Sequence, residues 1–465
     1  MLPSVQGSVG MEVPTVDEAK RMATLLGLLR VTKSEEKASA AGVSEDKLDW
    51  LRSQLIGKNI EFDTPFGRRM LTYADQTASG RSLRYIEDYL VKDVLPFYGN
   101  THTEDSHVGS KTTRLVHKAA RYVKRCMGAG PNDVLIFCGS GTTAAIKRLQ
   151  EVIGVAAPSV ELRGRLSTQM RMDERWVIFI GPYEHHSNIL SWRQSLADVV
   201  EIGVDADGLI DIAALRHALN SPEYKNRPML GSFSACSNVT GIMTDTREIA
   251  RLLHQHGAYA CFDFAARWLE DVKRKRQPLH GRFVTRLFND LFGIQARGGC
   301  ACAGPYGHTL LKIENDLSLR LRSAILEGYS GLKPGWTRLS FSYYLSKEEF
   351  KFILAAIEFI ASYGHRFLPL YKFDWITGNW TFKKEALKYL IMKEELALAT
   401  GLDALAENDL FKDEAKFERK PRVIQNKFES YLENAKIIAL SLPDINQPTV
   451  SVPKGVDPDL VLFHI

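Results

Sequence analysis

Apolar residues in this 465-residue chain fall into two patterns, short continuous runs and helix-spaced stripes. Runs of Val, Ile, Leu and Phe at 134–137, 176–180, 199–202 and 229–233, and another ending at Asp263, read as strands buried in a parallel sheet. Between them lie segments of helical period. Residues 246–256 set Ile249, Ala250, Leu252 and Leu253 on one side, and 211–219 form a shorter stripe. Further on, 347–363 carries Phe350, Ile353, Leu354, Ile357, Ile360 and Ala361 at i, i+3, i+4 spacing. Alternation of buried strands with amphipathic helices predicts an α/β fold. Additional helices are expected at 46–56, 81–95, 111–127, from the 138–143 turn to 153, and at 287–292, 385–400 and 423–440. Short strands are expected at 70–74, 293–297 and 336–342. Residues 1–45 lack periodicity and are expected to form a mobile arm.

Composition narrows the setting. At 52.3 kDa, with 45% hydrophobic and 25% charged residues, the chain can bury a large core and hold two domains. No apolar run approaches the roughly 20 residues that span a bilayer. No basic stretch leads into an apolar segment at the N-terminus, so secretion is not expected. A net charge of +5 is too mild to argue for nucleic acid. The single basic run, Lys273 to Arg276, reads as a solvated loop. Six cysteines in so long a chain fit reduced thiols and an intracellular setting.

The chemistry concentrates at strand ends. Ser237-Asn238-Val239-Thr240-Gly241 closes one strand and Asp263 closes the next, so Asn238 and Asp263 should face one crevice. An amide beside a buried carboxylate suits a heteroaromatic cofactor with a protonated ring nitrogen. Cys138-Gly139-Ser140-Gly141-Thr142-Thr143 lies between a strand and a helix, the place for an anion cradle of backbone N–H groups. Taken alone, that stretch reads equally well as a turn with N-capping threonines. Glu184-His185-His186-Ser187-Asn188 sits at the end of the 176–180 strand, and Arg297-Gly298-Gly299-Cys300-Ala301-Cys302 follows a short strand.

In this order, these segments resemble the class V aminotransferases, enzymes of the pyridoxal phosphate (PLP) dependent transferase fold type I that include the cysteine desulfurases. The resemblance runs from about residue 70 to 363. It implies a mostly parallel sheet flanked by helices, with a smaller α+β C-terminal domain. It implies cofactor binding by Gly141, Thr142, Thr143, His185, Asn238 and Asp263, with His185 stacked on the ring and helping to move protons. By spacing from Arg297, Cys302 takes the place of the sulfur-accepting nucleophile, and Arg297 and Arg338 would bind the substrate. Arg338 matches the carboxylate clamp. A thiolate at Cys302 would need nearby cations, for which Arg297 and His308 are candidates. The turn at 75–80 matches the small-residue turn toward the active site. Cys300, Cys302 and His308 make an incomplete zinc set, so no metal site is expected. The resemblance further implies an amino-acid substrate, a sulfur-accepting partner protein and a homodimer.

One expected element is missing. In the family, a lysine following the Asp strand forms the Schiff base with the cofactor. Here no His-Lys or Ser-Lys pair occurs between Asp263 and Arg297. Those two residues are only 34 positions apart, and one βαβ unit takes roughly 30. The large domain is therefore expected to be internally truncated, and the chain to bind PLP weakly and to be inactive or impaired. The alternatives are other PLP chemistry (a transaminase, a lyase or a molybdenum-cofactor-sulfurase-like role), or a chain acting only as a binding or dimerisation module. The expected division is an arm at 1–45, an incomplete PLP-binding domain at 46–268, a small domain at 269–380 and a helical extension at 381–465.

Overall fold

The computed structural model describes residues 45–264, 278–383, 385, 421–442 and 452–464. The N-terminal arm, the basic run at 273–276 and nearly all of the helix expected at 385–400 lie outside them. Helix α1 (Glu45–Gln54) leads into the hairpin β1 (Glu61–Thr64) and β2 (Gly67–Met70), and then into β3 (Thr72–Tyr73). Next come α2 (Arg84–Tyr89), which runs on through a π-turn and a 3-10 turn to Phe97, and the long α3 (His107–Cys126). Then follow α4 (Gly141–Val152), α5 (Val160–Gln169), β4 (Val177–Ile180), α6 (His186–Arg193), β5 (Asp198–Glu201) and α7 (Ile212–Leu219). Strand β6 (Met229–Ser234), α8 (Thr246–Gln255) and β7 (Tyr259–Asp263) complete the first half of the chain.

After residue 277 come α9 (Gly281–Phe292), β8 (Ile294–Gln295), β9 (Arg297–Gly299), α10 (Gly304–Leu310), α11 (Asn315–Leu326) and β10 (Trp336–Arg338). The last elements are α12 (Lys347–Tyr363), β11 (Tyr371–Phe373), β12 (Trp380–Phe382) and α13 (Pro421–Ser441).

The central sheet is parallel, in the order β5-β4-β6-β7. Strand β4 shows why its sequence is apolar throughout. Val177 and Phe179 point to one face and pack with Leu215 of α7 and Ile249, Leu252 and Leu253 of α8. Ile178 and Ile180 point to the other, against Ile146 of α4 and Ile189 and Trp192 of α6. Both faces are covered, so period-two alternation of side chains gives no polar position. A separate core joins α9, α12 and α13, where Phe352 stacks on Phe428 at 4.0 Å between ring centroids. Helix α9 starts hard against β10. A Cβ on Gly281 would lie 2.6 Å from the Trp336 backbone, so only glycine allows that approach.

Two sequence expectations need correction. Among the described residues the apolar run at 134–137 has no strand partner, and Val134, Ile136 and Phe137 are exposed. An apolar run becomes a buried strand only when a sheet receives it, and among the described residues β7 pairs with β6 alone. Helices α5, α10 and α11 carry weak apolar stripes and were not expected. Gly164 interrupts the first, and Gly304 with Pro305 opens the second.

Candidate active site

The C-terminal ends of β4, β6 and β7 open into a cavity of about 240 Å³. The turn after β3 adds Thr77 and Ala78, and the start of α4 adds Thr142 and Thr143. His185 and Ser187 come from the end of β4, Ser234, Cys236 and Asn238 from the end of β6 and the turn after it, and Asp263 from β7. Strands β9 and β10 pair antiparallel with Arg297 opposite Arg338, and both residues line the cavity beside Ala301 and Cys302.

Helix α4 meets the cavity with its N-terminus. Ser140 occupies the N-cap without a side-chain capping bond, and Gly141 has φ +64 with open space where a Cβ would stand. Its first N–H groups thus lack a local cap, an arrangement suited to an anion. Gly141 itself does not line the cavity; its role is the turn. Thr142 Oγ1 donates to Asp263 Oδ1 at 3.1 Å, tying the helix start to the end of β7. Thr143 Oγ1 shares a 2.6 Å hydrogen bond with Ser187 Oγ.

His185 is the N-cap of α6. Its Nδ1 accepts the Ser187 N–H at 3.1 Å, which leaves the neutral ring's proton on Nε2. Burial pulls its pKa below the ordinary imidazole value; Asp263 opposes this, and Arg297 and Arg338 add to it. The Glu184 carboxylate points away from the cavity and accepts from the Ser234 N–H, the Ser234 hydroxyl and Asn188 Nδ2. Asn188 Oδ1 in turn accepts from Trp192 Nε1 at 2.7 Å. Three of the five residues of the EHHSN segment thus face inward or cap a helix, while Glu184 and Asn188 lock α6 to β6.

Asn238 Nδ2 donates to the Ala301 carbonyl at 2.7 Å, and its Oδ1 is buried without a partner. Arg338 is buried and donates to Asp75 Oδ1 at 2.8 Å and to the Asn238 carbonyl at 3.1 Å, and its Nε has no partner. The turn at 75–80 was expected to approach the site, but the pairing of Asp75 with Arg338 was not. Asp75 lies 263 residues from Arg338 in sequence, a separation that local pattern cannot bridge. Cys302 and Ala301 form the centre of a tight turn, with φ of +55 and +47, closed by the Ala303 N–H on the Cys300 carbonyl at 3.1 Å. Positive φ at two residues with side chains is costly, and such conformations gather at functional sites. His308 does not reach the cavity. It sits on α10 with Nδ1 3.0 Å from Ser318 Oγ, so of the two expected cations only Arg297 is present. Among the described residues no group of three or more His, Cys, Asp or Glu side chains is placed to hold a metal, and no lysine lines the cavity.

An uncapped helix N-terminus, a buried acid, a neutral histidine and an orphaned amide oxygen thus meet at one cavity of an α/β sheet. Residues 72–272 match the family model described as Aminotransferase class-V. A probable cysteine desulfurase of Chlamydia muridarum is 27% identical over 219 residues, covering 44% of this chain and 48% of that protein. A mitochondrial cysteine desulfurase of Drosophila melanogaster is 23% identical over 240 residues, covering 50% and 46%. The chain thus spans less than half the length of these curated relatives. The apo structure of a cysteine desulfurase from Thermococcus onnurineus NA1 aligns with a TM-score of 0.49 at 14% identity, over 68% of this chain and 98% of that one. Residues 72–272 are thus similar to the aminotransferase class-V family and, within it, to cysteine desulfurases. That family implies PLP as the cofactor.

Proposed function

We propose that this cavity binds PLP and an amino acid, that the parent reaction is C–S bond cleavage with the sulfur taken by Cys302 as a persulfide, and that this chain is impaired because it lacks the Schiff-base lysine. The observation that carries the reading is the convergence of seven residues from six separate segments on one cavity: Thr142, Thr143, His185, Asn238, Asp263, Arg338 and Cys302. The residues fit the cofactor. Thr142, Thr143 and the open start of α4, beginning at Gly141, would hold its phosphate. Asp263 would pair with the ring nitrogen, the orphaned Asn238 Oδ1 would receive a donor, and His185 would lie against the ring. When bound, PLP withdraws electrons from the amino acid and so labilises bonds to its carbon atoms.

The chain's own groups supply the rest. His185 holds its ring proton on Nε2, and burial keeps the ring neutral. Arg297 and Arg338 attract the substrate carboxylate. Asp75 already occupies part of the Arg338 guanidinium, so the substrate must share or displace that bond. Cys302 lines the same cavity, on a turn held by its neighbours.

Two observations support the impaired reading. No lysine lines the cavity among the described residues. Among the described residues strand β7 has one unpaired edge and the apolar run at 134–137 has no strand partner, as expected if sheet elements are missing after Asp263. The domain division near residue 268, a homodimer, a sulfur-accepting protein and an intracellular setting complete the proposal, supported by family resemblance. Among the described residues no helix is long and apolar enough to cross a membrane. Equilibrium titration with PLP tests the site directly. Asp263→Ala should weaken binding about 10- to 100-fold, the loss of one hydrogen bond to a charged group. Equal binding by both proteins would refute the assignment.

A further inference from the structure

The turn that carries Cys302 lies between the start of α10, which has no side-chain cap of its own, and the start of α6, whose cap His185 takes the Ser187 N–H and not that of His186. Gly304 is the first residue of α10, and the N-cap before it is Ala303, whose side chain cannot accept a hydrogen bond. His186 is the first residue of α6, and its backbone N–H is likewise an orphan of its own helix. The two orphans are satisfied reciprocally across 118 residues of sequence. The Gly304 N–H donates to His186 Nε2 at 3.0 Å, and the His186 N–H donates to the Cys302 carbonyl at 2.9 Å. The clamp grips the turn on the C-terminal side of Cys302, while Asn238 holds Ala301 on the other side. Both central residues of the turn have left-handed φ, which neither Ala nor Cys prefers, so the turn needs such external bonds to persist.

We propose that His186 is the positioning residue for Cys302, serving as a cap in trans that holds the thiol at the cavity wall. Acceptance at Nε2 requires a neutral ring with its proton on Nδ1. Burial holds the imidazole in the neutral form, and His185, Lys333 and Arg193 act in the same direction. The inference deepens the sulfur-transfer reading, on which the importance of the Cys302 position rests. The clamp itself can be tested without cofactor or turnover.

The test is iodoacetamide labelling of the full chain, with the rate at Cys302 measured by peptide mass spectrometry relative to the exposed Cys126. Three variants are compared with the parent. His186→Phe keeps a ring and His186→Leu keeps an apolar volume, but both remove the acceptor; His186→Gln retains one. Removal of the acceptor should let the turn relax and raise Cys302 labelling about fivefold, the effect of one lost hydrogen bond. His186→Gln should stay near the parent rate. A Cys302 rate that does not rise in the acceptor-less variants, or that rises equally in His186→Gln, overturns the proposal. Labelling that follows the prediction in a chain that never carries sulfur on Cys302 would leave the clamp standing and refute only the sulfur reading.

Discussion

At the residue scale, the most perturbed histidine lies outside the cavity. His280 is buried between Phe373, Trp380 and Phe463, and its Nδ1 accepts the Trp380 indole N–H at 2.8 Å. Burial, assisted by Arg282, lowers its pKa from 6.5 to about 4. A base whose folded pKa is depressed contributes stability that is whole above its unfolded pKa and is lost as pH falls through the folded one. Between pH 6.5 and 4 this group alone should cost on the order of 3 kcal/mol. Denaturant titrations across that window should show His280→Leu losing less stability than the parent by about that amount; equal pH slopes would contradict the assignment.

His280 shows what the sequence withheld. A lone histidine before a helix carries no local sign of its aromatic cage, because Trp380 is 100 residues away. Residues in contiguous motifs were legible. His185, Asn238, Asp263 and Cys302 were recognisable because each follows a strand end and is defined by its immediate neighbours. The Asp75–Arg338 pair and the His186–Gly304 bond were not, since both depend on which strand ends the fold brings together. His308 was misplaced for the same reason: nearness to Cys302 in sequence does not survive the intervening α10 turn, which hands its ring to Ser318.

At the element scale, the parallel strands β4 to β7 were legible as continuous apolar runs and the helices α7, α8 and α12 as apolar stripes, while the order of the strands in the sheet was not. The run at 134–137 did not become a strand, although its composition is that of one. Composition reports what a segment can pair as; pairing needs an edge within reach. That leaves Val134, Ile136 and Phe137 exposed, with Tyr259 and Phe264 also exposed at the β7 edge. Unpaired edges and apolar runs of this kind promote association between copies. Static light scattering should show concentration-dependent association of the parent chain, reduced in the double variant Ile136→Lys, Phe137→Lys. Because both side chains are exposed, stability should change by no more than about 0.5 kcal/mol. Unchanged association in the variant would contradict this account of the edge.

At the scale of the whole molecule, two packed regions meet around the cavity. The sheet with its flanking helices supplies Thr142, Thr143, His185, Asn238 and Asp263, and the segment from α9 to β10 supplies Arg297, Cys302 and Arg338. Helix α3 stands apart from both. Of its twenty residues only Gly109 and Thr113 are buried, and Val116, Tyr122, Val123 and Met127 around its C-terminal half are exposed. An exposed α3 and, among the described residues, an unpaired β7 edge and an unpartnered run at 134–137 are what an α/β unit would present if elements after Asp263 were absent. The catalytic residues would then be gathered correctly around a cofactor that nothing holds covalently. The measurement that tests this most directly is borohydride reduction of the chain saturated with PLP, followed by peptide mapping and an absorption spectrum after desalting. The account predicts reversible binding, no absorption band retained after desalting and no lysine carrying the reduced cofactor. A cofactor fixed to one lysine, at any position in the chain, would contradict it and mark the site as a complete one.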